Sequence, residues 1–175
     1  MMATSLYDIG IKTYLQILPA VGSFLEKGRA YFEENKIGLD EVINIRFYDD
    51  MLPLRFQLFS VVHHSLGAIE GLEKGEFSTP SIPSDIDYLT LKDLINEADE
   101  KLKGYGEEQI NAFVGDEVIF KLGPNSIPFV AEDFILTFSL PNFYFHATTA
   151  YDILRSKGVP LGKKDFLGQM RMKQT

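Results

Sequence analysis

The chain carries three histidines, His63, His64 and His146, and no cysteine. His146 lies in an amphipathic stretch whose inward face, at about 100° per residue, is centred on Ile135, Phe138, Thr149 and Ile153. Asn142 falls in the same arc one turn earlier, so the amide and the imidazole can approach one point between helices. That pairing suits a divalent metal, an oriented water or a hydrogen-bonded small ligand. A purely structural role uses the same residues. His146 would be satisfied by Thr149 or a facing tyrosine, and Asn142 would cap carbonyls freed near Thr137 by Pro141.

A second segment supplies possible partners. Asp50, Gln57 and His64 share one edge of its apolar stripe, and Arg55 falls within the stripe. Gln57 and Arg55 join Asn142 and His146 as ligand-binding candidates. Asp50, His64 and His146 are the metal candidates, because a catalytic zinc-type site needs about three protein ligands and an open position. His63 and His64 are adjacent, and adjacent positions on a regular helix diverge by about 100°, so they are not expected to converge. Arg55 either snorkels at the bundle edge or pairs with Asp50 or Asp133. Asp49 and Asp50 are equally suited to capping a helix. Tyr144 and Tyr151 read as contact residues. The sequence contains no phosphate loop, dinucleotide fingerprint, nucleophile elbow or His-Glu-x-x-His pair.

These residues need helices to place them. Ser5 to Glu34 reads as a long helix interrupted by Pro19, and Leu39 to Ile45 as a short helical or irregular segment. A helix entered through Asp49, Asp50 and Pro53 should run to about Glu73. The stretch from Gly75 to Ser84 reads as a linker. A third helix, with Thr90 and Asp93 as its capping pair or an earlier start at Asp85, should reach about Lys103. Glu117–Leu122 and Ser126–Val130, joined by Gly123-Pro124-Asn125, suit a hairpin. The last helix should span Ala131 to Lys157 and stop at Gly158 and Pro160. The expectation is one all-α domain over 1–175, a four-helix bundle with a small hairpin before its last helix and a short C-terminal tail at 159–175.

Composition narrows the partners. Seventeen basic against 25 acidic residues give a net charge of -8 with no wide basic patch, which disfavours nucleic acid. Zero cysteines exclude disulfides, thiol nucleophiles and Cys-ligated metals, and fit the cytoplasm. No apolar run is long enough to span a membrane, and Met1 to Ile11 shows no signal peptide.

The run Leu140-Pro-Asn-Phe-Tyr-Phe-His146 with Thr148-Thr-Ala-Tyr-Asp-Ile-Leu-Arg155, and the exit Gly158-Val-Pro-Leu-Gly-Lys-Lys-Asp-Phe-Leu-Gly168, resemble a bacterial and fungal family of unknown function. Ser5-Leu-Tyr7 and Asp50-Met-Leu-Pro-Leu54 extend the resemblance over nearly the whole chain. That family is grouped with the DinB/YfiT-like up-down four-helix bundles. Members of the wider group often bind a divalent metal through one histidine of the second helix and a His-x-x-x-His pair on the last. Some are thiol-dependent transferases or hydrolases, and homodimers are common. By this resemblance Asn142 and His146 occupy the last-helix pair, with Asn142 in place of the first histidine, and Gln57, Asp50 and His64 compete for the second-helix position. The resemblance thus implies a DinB-like protein with a degenerate metal or small-ligand site between helices. The divalent metal would be Zn, Ni, Mn or Fe, or none would be bound. The alternatives are a metal-dependent hydrolase or thiol-dependent transferase, and a non-catalytic dimerising structural module.

Overall fold

The computed structural model describes residues 4–173. Met1–Ala3 and Gln174–Thr175, the two ends of the expected domain and tail, lie outside the described residues. Ser5 opens the chain's first helix with a capping box: its hydroxyl accepts from Asp8 N at 3.1 Å, and the Asp8 carboxylate accepts from Ser5 N at 3.3 Å. Helix α1 (Leu6–Ile9) stops at Gly10 and α2 (Ile11–Glu34) continues with Pro19 inside it, so the expected first helix is two pieces. After α3 (Leu39–Val42) comes α4 (Leu54–His63), with Pro53 at its N-cap. Asp49 and Asp50 lie in the exposed turn before Pro53 and do not cap the helix, contrary to the sequence expectation.

The expected second long helix is also split. Helix α5 (Leu66–Lys74) begins after a break at His64 and Ser65 and ends on Gly75, whose φ of 66° is the left-handed conformation glycine tolerates best. The expected linker then contains a strand, β1 (Glu76–Ser78). Helix α6 (Tyr88–Lys103) is capped by Asp87, which accepts from Thr90 N at 2.7 Å, and not by the Thr90–Asp93 pair. A short α7 (Glu107–Asn111) leads to β2 (Glu117–Leu122) and β3 (Asn125–Val130). The last long helix starts as α8 (Ala131–Asp133), passes through a π-wound segment, Phe134–Ser139, and continues as α9 (Leu140–Ser156). Gly158, at φ 96°, ends it. In α10 (Lys163–Leu167) the tail folds back on α2, where Lys27 pairs with Asp165 and Gln16 donates to Leu167 O at 3.0 Å.

Helices α2 and α4 each pack against both α6 and α9, which closes an all-α four-helix bundle. Tyr14, Phe24, Leu58, Ile95 and Phe143 are fully buried in it, and each such side chain is worth roughly 1.5–3 kcal/mol of burial. The hairpin is the larger part of a three-stranded sheet in the order β1-β2-β3. β2 pairs antiparallel with β3 and parallel with β1, opposing Phe120 to Phe77. Alternation along β2 buries Val118 and Phe120. Phe120 meets Phe138 with ring centroids 4.6 Å apart, and this contact ties the sheet to the last helix.

Candidate functional site: an aromatic cleft beside the helix break

Local rules at two irregularities build the site. The first is the break after α4. Ser65 turns its hydroxyl back to Val61 O at 2.7 Å, and adds a contact of 3.2 Å to Val62 O, which already accepts from Ser65 N. Across the bundle, Ser139 donates to His64 O at 2.7 Å, and Tyr14 OH lies 2.7 Å from Ser139 Oγ. Because Ser139 gives its single proton to a carbonyl, Tyr14 must be the donor to Ser139. His64 leaves the helical conformation at φ -85°, ψ 8°. Both adjacent histidines meet the same large ring, with His63 4.3 Å and His64 5.5 Å from Phe77 between centroids. They flank that ring without converging on one site, since His63 lines a pocket with Glu70 and Lys74 and His64 lines another with Asn142 and His146.

The second irregularity is the π segment. A π turn inserts about one extra residue and moves the residues after it around the axis by roughly 100°. The buried stripe accordingly passes from Phe134 and Ile135 to Phe143, Ala147, Ala150 and Leu154. A uniform wheel centred on Ile135 and Phe138 placed Asn142 and His146 inside that stripe. They are instead half-buried at its edge. Asn142 donates to Phe138 O at 2.8 Å, which meets a carbonyl of the π segment just before Pro141. Thr149 bonds Phe145 O in its own helix and not His146.

Between α4, the sheet and the last helix lies a cleft of about 350 Å³. Phe56, Phe77, Phe120 and Phe138 wall it, and Thr79 and Pro80 form part of its lining. Its polar lining is Ser60, His64, Thr79, Asn142 and His146, with no Lys, Arg, Asp or Glu. Ser60 Oγ and His64 Nδ1 are buried without a hydrogen-bond partner. The His64 and His146 rings stack 5.8 Å apart and 16° from parallel.

Gln57 fixes the protonation of His146. Its Nε2 donates to Leu52 O at 2.8 Å, so its amide orientation is set by a group that can only accept. Gln57 Oε1 therefore faces His146 Nδ1, at 2.8 Å, and that nitrogen must carry the proton. Nε2, across the ring, is left with its lone pair. Burial first, and the nearby His63 second, push the His146 pKa down to about 4. Burial, with His63 and His146 adding repulsion, pushes His64 to about 3. Both rings are neutral at pH 7. His63 is lowered by burial, against which its hydrogen bond to Ser78 O at 2.7 Å acts.

The structure thus gathers Asn142, His146 and His64 on one cleft, with Gln57 supporting His146 from behind. It does not bring Arg55 or Asp50 there. Arg55 donates to Ser84 O at 3.4 Å and lines a separate groove with Arg46 and Ile82, and no ion pair joins it to Asp50 or Asp133 among the described residues. Asp50 is exposed in the turn before α4. Among the described residues no group of three or more His, Cys, Asp or Glu could hold a metal ion, so the expected Asp50–His64–His146 set is not assembled. Sequence reasoning missed Ser60 and the wall residues Phe56, Phe77 and Phe120. Ser60 was findable, since 57, 60 and 64 follow the three- and four-residue spacing of one helix face. Phe77 sits in a strand of three residues, too short for periodicity to register.

An all-α four-helix bundle with a small three-stranded sheet beside its last helix is the fold of a DinB-like protein. The chain belongs to the family described as domain of unknown function (DUF1993), which matches residues 6–167. It is similar to a solved crystal structure of a DinB family member protein from Shewanella denitrificans, at 26% identity and a TM-score of 0.80, covering 97% of this chain and 96% of that one. No curated protein matches the chain. Among the described residues no helix is long and apolar enough to cross a membrane.

Proposed function

We propose that the protein binds an uncharged small molecule in the aromatic cleft, at the position where DinB-like relatives are expected to hold a metal. One observation carries this reading: Ser60 and His64, which line the cleft, hold two buried polar atoms, Ser60 Oγ and His64 Nδ1, with no partner inside the protein. An unanswered buried polar atom costs about 1–3 kcal/mol, and a ligand can offset that.

The donor set does not fit a divalent metal. Only two imidazoles border the cleft, with no carboxylate, and the His146 Nδ1 is engaged by Gln57. Near-parallel stacked rings direct their in-plane lone pairs side by side and not at a common point. Binding is also favoured over hydrolase or transferase chemistry at His146, because a base with a pKa of about 4 accepts a proton poorly at pH 7.

The test uses protein purified without a polyhistidine tag. Fluorine NMR with 4-fluoroanisole, an uncharged aromatic probe, should report saturable binding, and the ring signals of His64 and His146 should move with it. Thr79 is exposed and lines the cleft, so Thr79→Trp should block the probe while leaving the thermal midpoint unchanged. A divalent metal present at one per chain and lost in His146→Ala would overturn the reading. So would probe binding that leaves both histidines unmoved.

A further inference from the structure

The cleft's hydrogen-bonding capacity also constrains what fills it, an inference that rests on the binding reading above. Each amide is oriented by a backbone carbonyl. Gln57 Nε2 is committed to Leu52 O, and this leaves His146 protonated on Nδ1 with Nε2 as a bare acceptor. Asn142 Nδ2 gives one of its two protons to Phe138 O, which orients the amide and leaves Oδ1 as an acceptor beside the second N–H. His146 and Asn142 are one turn apart on α9 and both line the cleft. Ser60 Oγ, fully buried and unpartnered, can accept or donate. The polar side therefore offers two acceptors, His146 Nε2 and Asn142 Oδ1, beside the hydroxyls of Ser60 and Thr79 and the one N–H of neutral His64.

Charge narrows the ligand further. No ionisable carboxylate, ammonium or guanidinium lines the cleft, and its two imidazoles are neutral at pH 7. An anion would find no cation, and a cation no carboxylate, while each would lose its hydration. Shape supplies the last constraint. Phe56 and Phe138 face the cleft from different helices and Phe77 and Phe120 from the sheet, so a flat ring can meet aromatic faces and edges on more than one side. About 350 Å³ is the small end of ligand pockets and suits one or two rings.

We infer that the ligand is an uncharged aromatic molecule bearing a hydroxyl or N–H donor, of the phenol or catechol class, its ring against the phenylalanines and its donor on His146 Nε2 or Asn142 Oδ1. Ser60 answers a second polar group where the ligand has one. This recognition needs no metal and no charge.

Three probes of one ring size separate the parts of the inference. 4-Fluorophenol should bind at least tenfold tighter than 4-fluoroanisole, a difference of about 1.4 kcal/mol, because methylation removes the donor and keeps the ring. 4-Fluorobenzoate at pH 7 should bind at least tenfold more weakly than the phenol. On binding of 4-fluorophenol, the nitrogen-15 signal of His146 Nε2 should move upfield as its lone pair accepts a hydrogen bond. If the phenol and the anisole bind equally at the cleft, the donor assignment is wrong and the binding reading stands. Tighter binding of the benzoate overturns the neutral-ligand assignment. Failure of all three probes to move the histidine signals overturns both readings.

Discussion

Ser139 and Ser60 are both wholly buried serines at the junction of α4 with the last helix, yet their surroundings are opposite. Ser139 sits in a closed chain, accepting from Tyr14 and donating to His64 O, and Tyr14 in turn packs edge-on against Phe143 with centroids 5.0 Å apart. Ser60 faces the cleft with no partner at all. In the first region the hydroxyls of Tyr14 and Ser139 are both used, and they pin the backbone where α4 breaks. In the second, polar capacity is left open beside aromatic walls. The contrast between the two serines is the physical case for a ligand.

Two phenylalanines of the last helix test the difference most strongly. Phe143 is fully buried in the closed region, and Phe138 is half-buried on the cleft. Phe143→Ala should lower unfolding free energy by about 3–5 kcal/mol, the usual cost of deleting a buried ring. Phe138→Ala should cost about 1–2 kcal/mol, because part of its surface already meets solvent. Guanidinium titrations of the two variants measure both. Equal losses would mean that the cleft is as tightly packed as the core.

Acid should act mainly through the cleft. His64 and His146 are held neutral in the fold, with pKa values near 3 and 4 against an ordinary value of 6.5. Below pH 6.5 the unfolded chain takes up protons that the native chain refuses. Stability is therefore complete above pH 6.5 and falls as pH drops toward 4, with a slope of up to about 1.4 kcal/mol per pH unit for each histidine. Unfolding midpoints measured from pH 7.5 to 4.5 give the slope. His146→Gln should remove close to one proton from it. An unchanged slope would mean that His146 titrates normally in the fold and that water reaches its ring more freely than its burial here allows.

The two regions were unequally legible in the sequence. Apolar periodicity located the long helices, and Gly158 with Pro160 marked the end of the last one, because those signals are local. The pairing of Asn142 with His146 was legible for the same reason, being a matter of one helical turn. What defeated sequence reasoning was phase. A π segment at 134–139 and a break at His64–Ser65 each rotate the helix beyond them, and both are stabilised by partners distant in sequence, Ser139 lying 75 residues from His64 and Tyr14 125 from Ser139. Arg55 and Asp50 looked suitable by residue type. Their positions depend on the turn around residues 43–53 and its contact with Ser84, which no periodicity encodes.

The smallest effect discriminates most sharply, because it predicts opposite signs for one chemical change. Ser139→Ala removes a hydroxyl that serves two groups, leaving Tyr14 OH without an acceptor and His64 O without this donor, both inside the bundle. It should cost about 1–3 kcal/mol. It should also shift the His64 ring signals, since the break is no longer pinned. Ser60→Ala removes a hydroxyl that serves nothing in the unliganded protein, so stability should hold or rise by up to about 1 kcal/mol. Matched urea unfolding of the two variants at pH 7 decides the point. A loss at Ser60 as large as that at Ser139 would mean its hydroxyl already has a partner in solution, and the contrast between the closed and open regions would vanish.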